Sequence, residues 1–361
     1  MAGLLEIWDR MLACCGANLF ERQVGRNIVG VNRMVAMAAV VAIWLTSLCA
    51  GAWGQGKTPS PALLVLSKEE SFLAIVDPAT LKVVGKVDTG AHPHEVATSA
   101  DGKIAIVTNY GNEHVGTTMS EIDLASQSEV GKVTFPGPVG PHGIAILGDK
   151  AYFTVEGDKS IGVFDFAANN IDLHLVLGQK RPHMLVLTKN GRTLCVSNIE
   201  SNTVSVEEMK KSITSWTGTN VKVGKGPEGI DISPDEKEVW AANSGDGTVS
   251  IIDLASKKVT ATVDVKTKHS NRLKFTPDGK LVLISDLGSG ELVMVDAASR
   301  KEVKRLNLGK STEGILVQPD GARAFVAVSG DDKVAVVDLK TLEVTTTFAV
   351  GKDPDGMAWR K

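Results

Sequence analysis

Residues 227–265 read PEGIDISPDEKEVWAANSGDGTVSIIDLASKKVTATVDV, and this stretch decides the fold class of the chain. It holds four short runs rich in apolar and β-branched residues, and turn-forming residues separate each run from the next. Pro234-Asp235-Glu236 follows the first run, and Ser244-Gly245-Asp246-Gly247 follows the second. Short apolar runs divided by such turns are typical of antiparallel strands. The stretch therefore predicts one four-stranded antiparallel sheet.

The opening phrase of this stretch recurs along the sequence in seven copies, which are 48, 41, 45, 43, 42 and 42 residues apart. A period in the low forties indicates a propeller built from four-stranded blades. One position in every copy carries an ionisable or amide side chain. These seven positions, here called the ring residues, are His94, His142, His183, Glu228, Asn271, Glu313 and Asp355. If the blades share one axis, the ring residues surround one mouth of the central channel.

The two ends of the repeat region are out of phase with the repeat. Residues 62–88 supply three strands without a first strand, whereas residues 355–360 supply a first strand with no others after it. One blade therefore combines the last strand with the first three, which removes the exposed sheet edges that invite aggregation. The sequence predicts an all-β fold over residues 53–361, namely a seven-bladed β-propeller closed by a C-terminal inner strand that joins the N-terminal blade.

Residues 1–52 do not share the repeat. Arg22, Arg26 and Arg33 precede an apolar stretch, Met34 to Ala52, that ends in small residues. These are the parts of a secretory signal peptide. The stretch also approaches the ~20 residues needed to span a bilayer. We expect a periplasmic or secreted protein if the segment is cleaved and a membrane-anchored one if it is not, with membrane contact only through this segment.

Composition is that of an ordinary globular protein, with 43% apolar and 22% charged residues. The formal charge of −3 is too small to indicate a nucleic-acid binder by itself. Of the four cysteines only Cys195 lies beyond the N-terminal segment, so the mature chain can form no internal disulfide. Cys195 falls in the strand pattern TLCVSN, and we expect it to be a small buried hydrophobe. We expect a monomer.

The ring residues carry the candidate chemistry, because His94, His142 and His183 come from three consecutive blades. Neutral imidazole is the commonest metal ligand, and three histidines with an open position form a catalytic zinc arrangement. Glu228, in the next blade, would then be a fourth ligand or a general base. Three alternatives stay open: a divalent metal such as zinc, an organic ligand, or a polar mouth filled with water.

Other residues of the same end favour a binding site there. His92 and His269 each lie two positions before a ring residue, and His114 falls in a second-to-third-strand loop. Only His174 among the seven histidines is expected elsewhere. Basic residues also precede the first strands, where they would attract small anions: Lys180, Arg181, Lys225, Lys266, Lys268, Lys310 and Lys352.

Arg272 stands where most other copies have glycine, and we expect it to hold a ligand carboxylate bidentately or to pair with a neighbouring glutamate of the ring. Nucleic acid is a weaker candidate partner, because Tyr110 is the one aromatic residue of these loops that could stack on a base. The nucleophile elbow, the P-loop and the covalent haem motif do not occur in the sequence, and no glycine-rich phrase opens a helix, as a dinucleotide fingerprint requires.

Two further patterns have a structural interpretation. Asx-Gly pairs such as Asp278-Gly279 and Asp320-Gly321 follow the first strands, and tight hairpins prefer such pairs. We place these turns at the mouth opposite the ring. Most third strands are expected to end in an aspartate that caps the following turn rather than binding a metal: Asp77, Asp123, Asp165, Asp253, Asp296 and Asp338, with Glu207 in the remaining copy.

Phrases such as SPDEKEVWAANSGDGTVSIIDLASKKV and QPDGARAFVAVSGDDKVAVVDLKTLEV resemble the YVTN-type repeats of YncE-like seven-bladed β-propellers, over essentially all of residues 62–361. This resemblance implies the fold and, for function, an exported binding protein that takes a small, anionic ligand or a partner at its channel mouth. More distant members of that group include lactonases, a streptogramin lyase and a haem-containing nitrite reductase domain. A metal-dependent, lactonase-like hydrolase or lyase that uses the same mouth is therefore the alternative function.

Overall fold

A computed structural model describes residues 57–361, and within this range the chain forms 28 strands in seven four-stranded antiparallel sheets. The sheets are the predicted blades, so the all-β seven-bladed propeller is confirmed. We number the blades 1–7 in the order of their outer strands. The described part of the chain has one helical turn, the 3₁₀ helix Ser329–Asp331. The predicted signal segment lies outside the described residues.

In each blade the strands run outward from the channel. The innermost strands of blades 1–7 are β28 (Pro354–Arg360), β4 (Pro93–Thr98), β8 (Pro141–Leu147), β12 (Pro182–Leu187), β16 (Pro227–Ile232), β20 (Ser270–Phe275) and β24 (Thr312–Val317). The second strands are β1 (Ala62–Ser67), β5 (Ile104–Gly111), β9 (Lys150–Val155), β13 (Thr193–Asn198), β17 (Glu238–Asn243), β21 (Leu281–Asp286) and β25 (Arg323–Val328).

The third strand of most blades is largely buried, whereas the outermost strands are mostly exposed. The third strands are β2 (Phe72–Asp77), β6 (Val115–Asp123), β10 (Ser160–Asp165), β14 (Thr203–Met209), β18 (Thr248–Asp253), β22 (Glu291–Asp296) and β26 (Lys333–Asp338). The outermost strands are β3 (Lys82–Asp88), β7 (Ser128–Thr134), β11 (Asn170–Val176), β15 (Trp216–Lys222), β19 (Lys258–Asp264), β23 (Lys301–Asn307) and β27 (Glu343–Ala349).

Blade 1 closes the ring as the sequence predicts. Its strand order is β28-β1-β2-β3, so the last strand of the chain is hydrogen-bonded to the first. The pairing is antiparallel, with Leu63 opposite Trp359 and Leu64 opposite Ala358. As a result the inner edge of β1 is covered, and each of the seven blades has the same four-stranded form.

The hydrophobic core lies between the faces of neighbouring blades. Leu64 and Leu73 of blade 1 pack with Val96 and Val107 of blade 2 in one cluster. Between blades 5 and 6 the fully buried Trp240 meets the Phe275 ring at 5.4 Å between centroids, edge to face. Alternate residues of each strand therefore face opposite blades, as a sheet buried on both faces requires.

Cys195 is completely buried and unpaired, as expected. Its burial raises the pKa of the thiol, so it is an inert part of the core rather than a nucleophile.

The third-strand aspartates cap turns, as predicted. Asp253 Oδ1 accepts hydrogen bonds from the Ser256 backbone N–H and hydroxyl at 2.7 and 2.6 Å. Asp77, Asp123, Asp165, Asp296 and Asp338 make equivalent contacts. Glu207 differs, because β14 continues past it to Met209. Within residues 57–361 no helix is long and apolar enough to cross a membrane.

We predict that removing residues 354–361 abolishes cooperative thermal unfolding, because the deletion leaves the inner edge of β1 unpaired and opens the ring. Circular dichroism melting of the purified protein measures this. A variant that lacks only Lys361, which follows β28, is the matched control, and one that lacks residues 1–52 is a second. If the 354–361 deletion unfolded at the same temperature as these controls, the closing strand would not hold the ring together.

Candidate functional site

The structure brings all seven ring residues to one cavity. They lie at the starts of the seven inner strands and line a cavity of about 310 Å³ at one mouth of the channel. Six of them are buried, and His94 is partly exposed. Arg272 also lines this cavity, together with Lys68, Tyr110, Arg181 and His269. The predicted ligand-binding residues are thus adjacent in space, although they span 262 positions of sequence from His94 to Asp355 (355 − 94 + 1).

A repeated backbone turn places each ring residue. The residue two positions before each ring residue accepts a hydrogen bond at its backbone carbonyl. The donor is a backbone N–H at the end of the second strand of the same blade, as in Tyr110 N–H to the His92 carbonyl and Ile199 N–H to the Arg181 carbonyl. In six blades the residue that carries this carbonyl has a left-handed backbone: His92, Gly140, Arg181, Gly226, Ser311 and Asp353. Four of these six are not glycine, so the turn is held by its hydrogen bond and not by residue type.

Hydroxyl groups tie neighbouring blades together behind the ring. Thr108 Oγ1 donates to the carbonyl of His142 at 2.7 Å, and Thr154 Oγ1 donates to that of His183 at 2.6 Å. Ser197 Oγ donates to the carbonyl of Glu228 at 2.7 Å. Each donor belongs to the blade before the ring residue that it contacts. Three consecutive ring positions are therefore fixed by their neighbours' second strands.

A second ring, which the sequence did not reveal, lies just outside the first. It comprises the residues that make the backbone hydrogen bond of this turn: Lys68, Tyr110, Glu156, Ile199, Ser244, Leu287 and Ser329. These residues share no chemical type, so no repeated letter marks them. Their constant position at the end of each second strand is the signal that could have found them.

The histidines form a continuous row along one wall of the cavity. His92 Nδ1 and His94 Nε2 are 3.0 Å apart, and so are His94 Nδ1 and His142 Nε2. The rings of His142 and His183 then stack, with 3.8 Å between centroids and 33° between planes. Tyr110 packs against His94 and His142, at 4.8 and 5.1 Å between centroids.

Burial keeps the middle of this row uncharged. It lowers the pKa of His94 and of His142 well below the ordinary histidine value. In His142 the neighbouring imidazoles of His183 and His94 lower the pKa further. Both side chains are thus neutral in neutral solution, and each has one N–H and one free lone pair.

The predicted metal ligands, His94, His142 and His183, contact neighbouring imidazole rings and do not converge on one point as zinc ligands do. Both ring nitrogens of His94 already face other imidazoles, and the tilted rings of His142 and His183 pack against each other. Among residues 57–361 no group of three or more His, Cys, Asp or Glu side chains is arranged to hold a metal ion. A metal at His94, His142 and His183 would need these rings to turn, and it stays a prediction.

His183 continues the row into a polar cluster. Its Nδ1 lies 2.7 Å from Glu156 Oε1, and the Tyr110 hydroxyl donates to Glu156 Oε2 at 2.7 Å. Burial raises the pKa of Glu156, but these two hydrogen bonds and the charge of Arg181 outweigh it and lower the pKa. Glu156 is therefore a carboxylate, and it holds Tyr110 and His183 in place.

Glu228 links blade 5, which carries it, to blade 6. Its Oε1 accepts a hydrogen bond from Asn271 Nδ2 at 2.7 Å, and its Oε2 lies 3.2 Å from His269 Nε2. The hydrogen bond to Glu228 raises the pKa of His269, which is the more exposed partner. Glu228 is thus engaged by side chains on its own side of the ring.

Lys68 contacts the two remaining acidic ring residues, Glu313 and Asp355. Its Nζ forms an ion pair with Glu313 and lies 3.6 Å from Asp355 Oδ2. Burial raises the pKa of Asp355, but the charges of Lys68 and Arg272 outweigh it and lower the pKa to about 2. Burial and the charge of Asp355 raise the pKa of Glu313 to about 7. The two cations therefore favour the ionised form of Asp355, and the charge of Asp355 disfavours the ionised form of Glu313.

Arg272 has a different partner from the one expected. It reaches across the channel from β20 of blade 6 to Glu95 on β4 of blade 2, and the two form a buried ion pair. The expected pairing with a neighbouring ring glutamate is therefore wrong, because the long side chain extends along the diameter of the ring. Arg272 Nη1 also donates to Asn271 Oδ1 at 3.0 Å.

The Arg272–Glu95 pair divides the channel. Arg272 lines both the ring cavity and a second cavity of about 640 Å³ on the opposite side, whose lining includes Glu95, Met184, Phe275 and Met357. The ring cavity thus has a charged floor and opens at one end.

The remaining histidines and cations lie as follows. His92 and His269 contact the row and Glu228, whereas His174 lies on the outermost strand β11, with its Nε2 2.7 Å from Asp158. The expected rim cations are all exposed: Lys180, Arg181, Lys225, Lys266, Lys268, Lys310 and Lys352. Of these, Arg181 reaches the ring cavity.

Comparison with known proteins places this architecture in a family. The profile described as lactonase, 7-bladed beta-propeller matches residues 74–257 and 172–359, which together span most of the chain. The chain belongs to the seven-bladed β-propeller lactonase family. None of the curated proteins matches the sequence.

Solved structures share the fold at low sequence identity. A candidate 6-phosphogluconolactonase from Bacteroides fragilis is 17% identical, with a TM-score of 0.70 over 85% of this chain and 99% of that one. A second, from Bacteroides uniformis, is 15% identical, with a TM-score of 0.68 over 83% of this chain and 100% of that one. Hydrazine synthase of Kuenenia stuttgartiensis is 20% identical, with a TM-score of 0.63 over 74% and 89%. At these identities the likeness shows the fold alone.

We predict that Arg272→Met lowers the free energy of unfolding by about 3–5 kcal/mol, because it leaves Glu95 buried without its cation. The double variant Arg272→Met with Glu95→Leu is expected to recover most of this loss, since position 95 no longer carries a charge and Asp355, which Arg272 also contacts, keeps Lys68 as its cation. Urea unfolding followed by fluorescence measures both.

The control is Lys132→Met, which breaks the exposed pair with Glu129 and is expected to change stability by about 0.5 kcal/mol or less. A loss in Arg272→Met no larger than in this control would contradict a structural role for the cross-channel pair.

Proposed function

We propose that this protein is an exported propeller of the YncE-like type that binds a small, anionic organic ligand in the ring cavity. One observation carries the proposal: seven side chains from seven blades, chosen at the same position of each repeat, line one cavity that is open at one end and floored by Arg272. Ligand sites are concave and hold a few convergent polar groups. A cavity of about 310 Å³ suits a molecule of sugar-acid size.

The charged side chains of the cavity favour a ligand whose anionic group lies near the rim. Inside the cavity, Lys68 is paired with Glu313, and Arg272 is paired with Glu95. Arg181 is more available, because its side chain is 43% exposed and its contact with Glu156 is 3.4 Å. Arg181 also lines an adjoining opening together with Lys159 and Lys180. An anion at this opening would leave the ligand's hydroxyl groups among the histidines and acids of the ring.

Export rests on residues 1–52, whose basic residues and apolar stretch predict a signal peptide, or an anchor if uncleaved. The propeller contains no disulfide among residues 57–361, and packing and ring closure hold its blades together. Its stability is therefore compatible with a released protein and with an anchored one. Periplasmic or secreted localisation belongs to this proposal. Fractionation of cells that express the full chain distinguishes a released protein from an anchored one.

We predict that His142→Ala and Glu228→Ala each weaken binding of gluconate or 6-phosphogluconate at least 10-fold, because both residues line the ring cavity. Isothermal titration calorimetry on the purified protein measures the dissociation constants. Asp278→Ala and Asp320→Ala, at the opposite end, are the controls. Asp278 caps its turn through Thr276 Oγ1 and the Lys280 N–H, so its loss costs about 1 kcal/mol of stability and leaves binding unchanged. The reverse pattern would place the site at the other mouth.

A second function, hydrolysis of a lactone, is favoured by the family to which the chain belongs. In this alternative the same cavity would bind the cyclic ester. His94, His142 and His183, with their rings turned, would be the residues to hold a divalent metal, which would supply a Lewis acid for the carbonyl or for water. Glu228, a ring residue that is buried near His183, is then a candidate base. The distance from His183 Nε2 to Glu228 Oε1 is 3.7 Å.

We predict for this alternative that chelator-treated protein takes up one equivalent of zinc or cobalt and that uptake is lost in His94→Ala, His142→Ala and His183→Ala. Elemental analysis after gel filtration measures the metal, and δ-gluconolactone hydrolysis above the spontaneous rate measures activity. His174→Ala, on the outer strand, is the matched control. A protein that binds gluconate but takes up neither ion and hydrolyses no lactone would be a binding protein.

A further inference from the structure

Blade 2 departs from the other six blades at the end that carries the ring cavity. In those six, four residues join the second strand to the third, as between Asn243 and Thr248. In blade 2 the equivalent pair is Asn109 opposite Thr118. In both pairs the asparagine Nδ2 donates to the threonine hydroxyl, at 2.9 and 3.0 Å. Residues 110–117, here called the blade 2 hairpin, are therefore four residues longer than their counterparts.

The backbone of the blade 2 hairpin has a fixed shape. Gly111 has a left-handed φ of 87°, and a Cβ on Gly116 would collide with the Asn109 carbonyl oxygen. The two arms approach this closely because both positions are glycine. The Gly111 N–H donates to the Ala91 carbonyl at 3.1 Å, and the Gly140 N–H donates to the Gly116 carbonyl at 3.0 Å. Hydrogen bonds to the chain on either side thus hold the base of the hairpin.

The blade 2 hairpin lies between two openings that adjoin the ring cavity. Tyr110 and Val115 line the first opening, which shares Arg181 with the ring cavity. Asn112, at the tip, lines the second opening, which shares Leu287 with the ring cavity. Most other residues that line the second opening come from blades 1, 6 and 7. The tip therefore reaches toward the far side of the mouth, with one opening on each side of the hairpin.

The first opening is basic. Its charged lining consists of three cations and two acids: Lys159, Lys180, Arg181, Glu156 and Glu200. Glu156 is already engaged by His183 and by the Tyr110 hydroxyl, both at 2.7 Å, whereas the three cations are exposed. A small anion near this opening is therefore attracted, over the ~8 Å that physiological salt leaves unscreened.

The second opening is acidic. Within residues 57–361 no lysine or arginine lines it, and its lining includes four acids: Glu69, Glu313, Asp332 and Asp353. Lys68 and Lys352, which lie outside this lining, contact three of these acids and offset part of the charge. Asp332 is exposed, so the opening keeps a negative charge that repels anions.

We propose that the blade 2 hairpin divides the mouth of the ring cavity into a basic and an acidic opening, and that an anionic ligand enters and leaves through the basic one. This inference rests on the proposed function and narrows it, because it assigns the route of the ligand and the side of the cavity that receives its anionic group. Without the hairpin the two openings would merge, and their charges would act on one common entrance.

Two cysteine variants test the division without needing a ligand. Ile199 and Leu287 occupy the same position in blades 4 and 6, are half-buried and line the ring cavity. Ile199 lies beside Arg181 of the basic opening, and Leu287 lines the acidic one. Ile199→Cys and Leu287→Cys are each treated with anionic, cationic and neutral methanethiosulfonate reagents. The full chain is used, with serine in place of its three N-terminal cysteines, and the buried Cys195 is retained.

The rate with the neutral reagent corrects for differences in access and in thiol reactivity. After this correction, we expect the anionic reagent to modify Ile199→Cys about 3-fold or more faster than Leu287→Cys, and the cationic reagent to show the reverse. The difference is expected to shrink at about 1 M salt, where the Debye length is ~3 Å. Equal charge preferences at the two positions would overturn the proposal.

Charge variants test which opening each position uses. Lys180→Glu is expected to lower the anionic rate at position 199 by about 3-fold and to leave position 287 unchanged. Lys237→Glu, at an exposed lysine near the opposite mouth, is the matched control and is expected to change neither. An equal effect of Lys180→Glu at both positions would show one common entrance and would overturn the division.

Two substitutions on the hairpin itself test its role as the divider. Val115→Lys is expected to raise the anionic rate at position 199 only, and Asn112→Lys at position 287 only, because these side chains line different openings. Deleting residues 111–114 gives blade 2 the short connection of the other blades, and in the folded variant positions 199 and 287 are expected to acquire the same charge preference.

The two lysine substitutions decide the matter if the deletion variant does not fold, which circular dichroism shows. A rise at both positions in Val115→Lys and in Asn112→Lys, or an unchanged difference in the folded deletion variant, would overturn the dividing role of the hairpin. Failure of gluconate to bind in the calorimetric titration would count against the proposed function and not against this division.

Discussion

The structure depends on the closure of seven sheets around one axis by the pairing of β28 with β1. Closure forces the seven inner strands to begin at the same end and at the same distance from the axis. Any residue type placed at the start of an inner strand is thereby brought together with its six counterparts. The ring cavity is a direct geometric result, and the chain needs no dedicated loop or inserted domain to form it.

The same closure confines charges that would otherwise be solvated. Buried ions are tolerated when they are paired and hydrogen-bonded, and the ring follows this rule in three groups. Lys68 pairs with Glu313, Arg272 pairs with Glu95, and both cations also lie near Asp355, whereas Glu228 is held by Asn271 and His269. The histidines, in contrast, remain neutral because burial lowers the pKa of His94 and His142. The cavity therefore combines fixed charges with neutral groups that donate and accept.

The fold could be predicted from sequence because its determinants are local and repeated. Turn pairs such as Asp278-Gly279 are visible within one repeat, and the spacing of the ring residues and the unmatched strand at 355–360 emerge when successive repeats are compared. The meeting of the ring residues follows from symmetry. The pairing of Arg272 with Glu95, 177 residues away, does not, because it depends on the reach of one side chain across the axis. The second ring was hidden for a related reason: Lys68, Tyr110 and Glu156 share a position in the fold but no chemistry. Whether three histidines converge or stack likewise depends on side-chain angles that a repeat does not encode.

The pairing of β28 with β1 in blade 1 also determines when, during synthesis, the ring can close. Because β28 is synthesised last and β1 among the first of the described strands, the inner edge of β1 has to wait for nearly the whole chain to emerge. Until then the nascent protein exposes an unpaired strand edge, the kind of surface that chaperones bind and that aggregates when left free. Blades 2–7 are each built from consecutive strands, so closure of the ring, and not formation of these blades, waits for the C-terminal residues.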